Sequence, residues 1–319
     1  MSITHGGGRR SAHGAARGGR GAATILAIGA ALALLLLGST SAAQAMTATV
    51  STNTYGTVYE HLFYGPRVRE NVNVYASRSP KSPTVILVHG GGWRFYDALS
   101  KFEAESLALQ AQGFTVFTIN YDQDSSTSPA FSIEPEEVAA ATHWAMNNAS
   151  SFNADPSNVT LLGGSAGGHL VGLVAQRLNA AAAGTIRGVV TLSAPESFRT
   201  LIPMIEGRVI TNEEFVTSVY QAVGREVDGP SYMFANPFEQ EAYETRWSPA
   251  LNISSRNCTR WLLFNSEAEF IPLSQAQEMN NGLTQAGCPS TLKVVPGSRH
   301  AFGYWKEVAP LVFSFIRGS

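Results

Sequence analysis

A five-residue segment, Gly163-Gly164-Ser165-Ala166-Gly167, separates a strand pattern from a helix pattern in this chain. The run 159–162 before it is short, β-branched and apolar, and the apolar run 169–175 behind it has the character of a buried helix. In that setting a Gly-x-Ser-x-Gly segment predicts a turn so sharp that only small residues fit beside the serine. The turn, a strand-to-helix elbow, would hold the Ser165 hydroxyl clear of the sheet, with a helix N-terminus just behind it.

Strand and helix patterns alternate along most of the chain, which predicts an α/β fold with a mostly parallel central sheet and helices on both faces. An apolar content of 44% is ordinary for a soluble globular protein and allows a sizeable core. The predicted strands lie at 71–75, 84–88, 115–120, 159–162, 186–192, 261–264 and 292–295. The predicted helices lie at 101–112, 135–148, 166–178, 274–285 and 305–316.

Residues 195–252 interrupt this alternation. The segment is long, shows some helical spacing and carries scattered aromatic side chains. Long insertions of this kind often cover active sites, so we favour a helical lid or cap over residues 195–252. An ordinary extra helical layer is the alternative. The scattered aromatic residues are Phe198, Phe215, Tyr220, Tyr232, Phe234 and Phe238.

The first 45 residues have the features of an export signal. Four arginines precede an apolar stretch at 25–37, and small residues then lead to Ala43-Gln44-Ala45, an Ala-x-Ala cleavage signature. The stretch is shorter than the roughly 20 residues that span a bilayer. We therefore predict a signal peptide over 1–45, cleaved near Ala45, and a secreted domain over 46–319. An uncleaved anchor is the alternative, and Arg9-Arg10 also raises twin-arginine export, although the residues that follow fit that signal poorly.

Charge excludes two classes of partner. Removal of residues 1–45 takes away four arginines and no acidic residue, so the formal net charge falls from −2 to −6. A mildly acidic chain without a basic run has no electrostatic footprint for nucleic acid. It also lacks a polybasic cluster for anionic lipid, and we expect no stable membrane insertion after cleavage of the signal.

Two cysteines, Cys258 and Cys288, each lie shortly before a predicted strand. If those two strands are parallel neighbours, the thiols lie at one edge of the sheet, within bridging range. An exported chain permits a disulfide, so we favour a bridge over two buried free thiols. Neither cysteine has the surroundings of a catalytic or metal-binding residue.

A serine hydroxyl is a weak nucleophile at neutral pH and needs a base, which a third group orients. After an elbow of this kind the order along the chain is serine, acid, histidine. His300 follows the last predicted strand and is the predicted base. The preceding loop offers two carboxylates, Glu269 and Glu267, and we favour Glu269 as the acid.

The segment His89-Gly90-Gly91-Gly92-Trp93 follows the strand at 84–88, where an oxyanion-binding loop belongs. Backbone N–H groups of Gly91, Gly92 and Ala166 are the predicted oxyanion donors. We expect His89 to fix this loop by hydrogen bonds. Trp93 and Tyr96 are candidates for the substrate pocket, with ordinary packing as the alternative.

Together these segments resemble the α/β-hydrolase superfamily, and within it the esterases with a His-Gly-Gly-Gly oxyanion loop. That group includes hormone-sensitive-lipase-like esterases, carboxylesterases, acetyl-xylan esterases and feruloyl esterases. The resemblance covers roughly residues 70–317 and includes 89–93, Asn120-Tyr121, Asp155-Pro156, 163–169 and 297–302. It implies ester hydrolysis through an acyl-serine intermediate, without a cofactor or a metal. The chain departs from the family at the acid, which is usually Asp, and in a loop before Pro272 that is about one residue short.

The sequence therefore predicts a secreted serine carboxylester hydrolase that acts on a small-molecule or polysaccharide-linked ester. An amidase or peptidase with the same catalytic residues is one alternative. A non-catalytic relative that binds a small ligand is the other.

Overall fold

The structure, a computed structural model, describes residues 48–94, 98–122, 133–223 and 237–318. The predicted signal segment 1–45 and three residues named above, Tyr96, Tyr232 and Phe234, lie outside the described residues. No helix within the described ranges is long and apolar enough to cross a membrane.

The core of the molecule is a nine-stranded sheet in the order β1-β2-β3-β5-β4-β6-β7-β8-β9. The strands from β5 to β9 in this order are parallel to one another, and β1, β2 and β3 extend the sheet antiparallel at one edge. The strands are β1 Thr49–Asn53, β2 Gly56–Phe63, β3 Asn71–Ser77, β4 Ser82–Val88, β5 Thr115–Ile119, β6 Ala154–Gly164, β7 Gly188–Leu192, β8 Arg260–Ser266 and β9 Ser290–Val295.

Helices cover both faces of the sheet, as alternation of strand and helix patterns predicts. The α-helices in the described ranges are α1 Ala98–Lys101, α2 Glu103–Ala111, α3 Glu134–Asn148, α4 Ala166–Ala181, α5 Phe198–Glu206, α6 Glu213–Ala222, α7 Pro237–Arg246, α8 Leu273–Gln285 and α9 Trp305–Arg317. The single helix predicted at 101–112 is two short helices, α1 and α2, separated at Phe102.

Alternate side chains of the central strands enter two separate cores. In β4, Ile86 and Val88 join the apolar cluster that includes residues of α3, α4 and α8. Val85 and Leu87 point to the other face and join the cluster formed with α2 and α9. Successive side chains of β4 point to opposite faces of the sheet, and both faces are buried. The strand therefore appears in the sequence as a continuous apolar run.

Strands β1 and β2 were not predicted. β1 is polar and almost wholly exposed at the sheet edge, so it lacks the apolar alternation that identifies a strand. β2 contains an irregularity between Tyr59 and Leu62 where His61 has a φ of +58°. A bulge of this kind interrupts the period-two pattern.

Cys258 and Cys288 form the predicted disulfide, with an S–S distance of 2.04 Å. They precede β8 and β9, which pair in parallel with Trp261 opposite Ser290, so the geometric premise of the prediction is also correct. The bridge closes a sequence separation of 30 residues. In the chain-entropy model a loop of this size stabilises the fold by about 3–4 kcal/mol.

Candidate active site

Ser165 lies at the junction of β6 and α4 in a strained backbone conformation. Its φ is +56° and its ψ is −128°, a combination that L residues adopt only where the surroundings enforce it. Its N–H donates to the carbonyl of Leu192 on the neighbouring strand at 2.8 Å. A Cβ on Gly163 would lie 2.3 Å from the carbonyl oxygen of Gly167. Small residues are therefore required on both sides of the serine, as the segment predicts.

His300 and Glu269 form a hydrogen-bonded pair between the loops that follow β9 and β8. The Nδ1 of His300 bonds Oε2 of Glu269, whose side chain is fully buried, whereas the His300 side chain is 26% exposed. The second oxygen, Oε1, accepts the N–H of Ser266 at 2.9 Å and the hydroxyl of Ser193 at 2.6 Å. The carboxylate is thus held on both oxygens, and the other ring nitrogen of His300 remains for a second partner.

Glu267, the other candidate acid, is exposed. Its carboxylate accepts the N–H of Gly297 at 3.3 Å, a contact at the surface of the same pair of loops. The structure brings Glu269 to His300 and holds Glu267 on the solvent side.

The glycine loop after β4 packs directly on the elbow. A Cβ on Gly167 would lie 2.3 Å from the carbonyl oxygens of both Val88 and His89, so only a glycine in α4 allows this approach. Gly91 and Gly92 have φ values of +106° and +58°. The Gly91 carbonyl accepts the N–H of Arg94 at 3.0 Å.

The three predicted oxyanion donors are backbone N–H groups of this glycine loop and of the first residue of α4. Because a trans peptide directs its N–H and C=O oppositely, the Gly92 N–H points away from Arg94. Ala166 is the first residue of α4, where backbone N–H groups have no intrahelical acceptor. Gly91 and Gly92 line the same cavity as Ser165.

His89 is buried and fixes the glycine loop, in agreement with the expectation from sequence. Its ring stacks on Tyr121 with centroids 4.1 Å apart and an interplanar angle of 8°. Its Nδ1 lies 2.6 Å from the Gly90 carbonyl, and the Tyr121 hydroxyl donates to the His89 carbonyl at 2.9 Å.

A cavity of about 560 Å³ opens over Ser165 and His300. Four phenylalanines line it in two contacting pairs. Phe102 and Phe302 meet edge to face at 4.7 Å, and Phe215 and Phe270 are tilted at 5.2 Å. Further polar side chains line the cavity, namely the exposed Lys101, Asn212 and Glu214 and the buried Ser218.

The phenylalanines of the cavity wall were not predicted from the sequence as site residues. Phe270 and Phe302 lie one and two residues from Glu269 and His300, so proximity to the candidate catalytic loops was an available signal. Phe215 and Ser218 belong to α6, within the segment 195–252. Phe215 and Phe198 are both buried in the same apolar cluster, but only Phe215 also lines the cavity, and how the helices pack decides this difference.

Trp93 does not line the cavity, and its assignment to the substrate pocket is wrong. The side chain is 1% exposed and packs against His169 and Phe198, with ring centroids 5.4 Å and 5.9 Å away. Its indole N–H donates to Nδ1 of His169 at 3.3 Å. The φ of +61° at Trp93 turns the chain inward after the glycines.

His169 links the elbow helix to the segment 195–252. Because Nδ1 accepts from Trp93, the proton lies on Nε2, which donates to the Trp247 carbonyl at 2.7 Å. Complete burial lowers the pKa of His169 to about 3, so the ring is neutral at physiological pH and serves as a structural crosslink.

Glu196, in the loop after β7, is a second buried titratable group. Burial raises its pKa to about 8, while a hydrogen bond from Thr191 opposes the shift and the nearby charge of Glu278 adds to it. The carboxyl group is therefore mostly protonated at neutral pH. Within the described ranges, no three His, Cys, Asp or Glu side chains converge in a way that would hold a metal ion.

Comparisons with known proteins place the chain among esterases. The BD-FAE family model matches residues 72–283. The chain is 24% identical to Esterase LipQ of Mycobacterium tuberculosis over 75% of this chain and 56% of LipQ. It is 25% identical to versiconal hemiacetal acetate esterase of Dothistroma septosporum, over 72% of this chain and 70% of that protein. The chain thus spans little more than half the length of LipQ.

Solved structures show the same fold at low sequence identity. A truncated form of a carbohydrate esterase from gut microbiota has a TM-score of 0.66 at 18% identity, covering 84% of this chain and 99% of that one. The thermostable carboxylesterase EstE1 has a TM-score of 0.65 at 16% identity, covering 85% of this chain and 88% of that one. The predicted α/β-hydrolase fold class is confirmed.

The two buried titratable groups predict an unusual pH dependence of stability. A folded-state pKa of Glu196 raised from 4.5 to about 8 means that stability falls as the pH rises through this window. A folded-state pKa of His169 lowered from 6.5 to about 3 means that stability rises with pH up to about 6.5. The two effects oppose each other between pH 4.5 and 6.5, and of the two only the effect of Glu196 continues above pH 6.5.

Between pH 6.5 and 8 we expect the unfolding free energy to fall by about 1.4 kcal/mol per pH unit through Glu196. Glu196→Gln should remove this slope, as measured by urea unfolding at half-unit pH steps. Glu103→Gln, at an exposed carboxylate on α2, should retain the wild-type slope. An unchanged slope in Glu196→Gln would contradict the assignment of a buried protonated carboxyl group.

Proposed function

The chain belongs to the BD-FAE family, and we propose that it is a secreted serine carboxylester hydrolase that works through an acyl-serine intermediate. The observation that carries the proposal is the His300–Glu269 pair opening onto the same cavity as Ser165. A strained serine, an imidazole with one nitrogen anchored to a buried carboxylate and a glycine loop at one cavity are the parts that acyl transfer requires.

In the acylation step, Ser165 Oγ attacks the ester carbonyl carbon while His300 Nε2 takes the hydroxyl proton. Glu269 Oε2 accepts the Nδ1–H bond and stabilises the imidazolium that forms. The carbonyl oxygen becomes an oxyanion, which the N–H groups of Gly91, Gly92 and Ala166 stabilise. When the tetrahedral intermediate collapses, the bond to the alcohol oxygen breaks and His300 returns the proton to that oxygen.

Deacylation repeats the sequence with water as the nucleophile. His300 takes a proton from water, hydroxide adds to the acyl carbon, and a second oxyanion forms at the same donors. Collapse of this intermediate breaks the bond to Ser165 Oγ, which recovers its proton from His300. The acid product leaves and the enzyme returns to its starting state.

The walls of the cavity favour an ester with an apolar portion. The two phenylalanine pairs give apolar walls to the cavity that Ser165 lines. Meanwhile, Lys101, Asn212 and Glu214 make the mouth polar, which suits a polar alcohol portion such as a sugar. An acetate esterase and a carbohydrate esterase are among the relatives and neighbours, so acetylated and carbohydrate-linked esters belong in the first substrate panel.

The segment 195–252 is proposed as a cap over the cavity. Helix α6 contributes Glu214, Phe215 and Ser218 to its lining, and its N-cap residue Asn212 lines the cavity too. A Cβ on Gly92 would lie 2.5 Å from the Ser218 hydroxyl. The cap is therefore in contact with the loop that is proposed to bind the oxyanion. Export is proposed from the signal features of residues 1–45, and the Cys258–Cys288 disulfide is compatible with an oxidising compartment.

The nucleophile can be tested on the mature chain with p-nitrophenyl acetate and a fluorophosphonate probe. Wild type should hydrolyse the ester and be labelled by the probe. Ser165→Ala should lose labelling and about 10³-fold or more in kcat, with the fold intact by circular dichroism. Turnover by Ser165→Ala at the wild-type rate would refute the acyl-serine mechanism. A folded wild-type chain without turnover would favour the ligand-binding alternative.

The acid can be tested by comparing Glu269→Gln with Glu267→Gln. Loss of the buried carboxylate leaves His300 without its charged partner, so Glu269→Gln should lower kcat by about 10²- to 10⁴-fold. Glu267→Gln changes an exposed charge and should retain kcat within about twofold, which makes it the matched control. Equal activity of the two variants, measured after active-site titration, would rule out Glu269 as the acid.

The cap can be tested by truncating its wall residue. Phe215→Ala should lower kcat/KM about tenfold for aromatic or long-chain p-nitrophenyl esters, because ring contacts contribute about 0.5–1.5 kcal/mol. The acetate ester, which reaches the wall least, should change less. Phe238→Ala, at a phenylalanine on α7 that is 82% exposed, is the control. A uniform change across the ester series would argue against Phe215 as a substrate contact.

A further inference from the structure

Ser193, directly after β7, has a backbone conformation that a residue with a Cβ adopts reluctantly. Its φ is +52°, in the left-handed region that favours glycine. Its N–H donates to the Phe264 carbonyl at 2.8 Å, and its side chain is fully buried. A serine that occupies such a position needs a compensating interaction, and the hydroxyl supplies it.

The Ser193 hydroxyl makes three hydrogen bonds. It donates to Glu269 Oε1 at 2.6 Å, accepts the N–H of Ala301 at 2.9 Å, and lies 2.7 Å from the Tyr304 hydroxyl. An ionised carboxylate only accepts, so the one proton of Ser193 goes to Glu269. Tyr304 has one proton and two acceptors in reach, the Ser193 hydroxyl at 2.7 Å and the Phe264 carbonyl at 3.4 Å, and we assign the proton to the shorter bond, with Ser193 as acceptor. One donated and two accepted bonds use the full capacity of a hydroxyl group.

This hydroxyl joins the two loops of the proposed catalytic pair. Glu269 belongs to the loop after β8, and Ala301 immediately follows His300 in the loop after β9. Burial prevents water from competing for these bonds, which makes each of them costly to lose. Burial also raises the pKa of Tyr304, so its hydroxyl remains a donor across the working range of pH.

We propose that Ser193 is a positioning residue, which sets the orientation of the Glu269 carboxylate and, through it, that of His300. The inference rests on the function proposed above. Ser193 is not among the residues that line the cavity, so it acts without contact with the substrate. Without the Ser193 hydroxyl, Oε1 retains only the Ser266 N–H, and the carboxylate is held less firmly against rotation away from the imidazole.

Glycine is the informative substitution at this position. Ser193→Gly relieves the strain at φ +52° but also removes the hydroxyl and its three buried bonds, so its fold is checked by circular dichroism and kcat is expressed per titrated active site. If Ser193 only shaped the turn, the variant would be fully active. We expect instead that kcat on p-nitrophenyl acetate falls about 10- to 100-fold, the effect of a small misalignment of catalytic groups, with KM within about twofold.

Three further variants complete the test, each normalised by active-site titration. Ser193→Ala should show the same loss in kcat, and Tyr304→Phe, which removes the donor to Ser193, a smaller one. Ser82→Ala is the matched control. Ser82 is a buried serine at the amino end of β4, whereas the site lies at the carboxyl ends of the strands, and it bonds Thr115 Oγ1 at 2.7 Å. This variant should keep wild-type kcat whatever its stability.

A double-mutant cycle tests the route of the effect. If Ser193 acts through Glu269, then Ser193→Gly should change kcat by less than about twofold in a Glu269→Gln background. Wild-type kcat in Ser193→Gly, or the same fold-loss in both backgrounds, would overturn the positioning role. A Glu269→Gln variant with wild-type kcat would show instead that the proposed acid assignment is wrong, which separates the two failures.

Discussion

The close contact between two backbone turns, at the carboxyl ends of β4 and β6, is the constraint on which the site depends. The helix after the elbow can approach the glycine loop only because Gly167 has no side chain against the Val88 and His89 carbonyls. The stacked His89 and Tyr121 rings hold the loop from the other side. This contact fixes the glycine-loop amides beside Ser165, and a parallel sheet provides it because the carboxyl ends of its strands share one edge.

The acid side of the site is built from buried hydrogen bonds. Glu269 is one methylene longer than the aspartate usual in such esterases. Its carboxylate reaches back across its own loop to the Ser266 N–H and forward to His300. Ser193 occupies the remaining direction. The longer and more flexible side chain of Glu269 is thus restricted in its rotation by three hydrogen bonds, to Ser266, Ser193 and His300.

The elbow helix is also tied to the segment 195–252 by a neutral, buried group. His169 accepts from Trp93 and donates to the Trp247 carbonyl, so a single imidazole links the end of the glycine loop to the end of α7. A charged ring could not accept from Trp93, and complete burial keeps the ring uncharged. A buried group without a counter-ion is neutral. The protonated carboxyl group of Glu196, in the loop after β7, follows the same rule.

Local sequence determined the fold class, the elbow and the candidate serine and histidine. Sharp turns, apolar strands and small residues act over a few neighbouring positions, and their signatures are therefore legible in the chain. Strands β1 and β2 were not predicted because β1 is polar and exposed and β2 is interrupted by a bulge at His61, so neither has the regular apolar pattern of a strand. Tertiary structure alone decided that Glu269 rather than Glu267 meets His300, that Trp93 turns into the core while Phe215 faces the cavity, and that Ser193 joins two loops. Each of these depends on contacts between residues far apart in the chain, whose geometry the spacing of residue types does not specify.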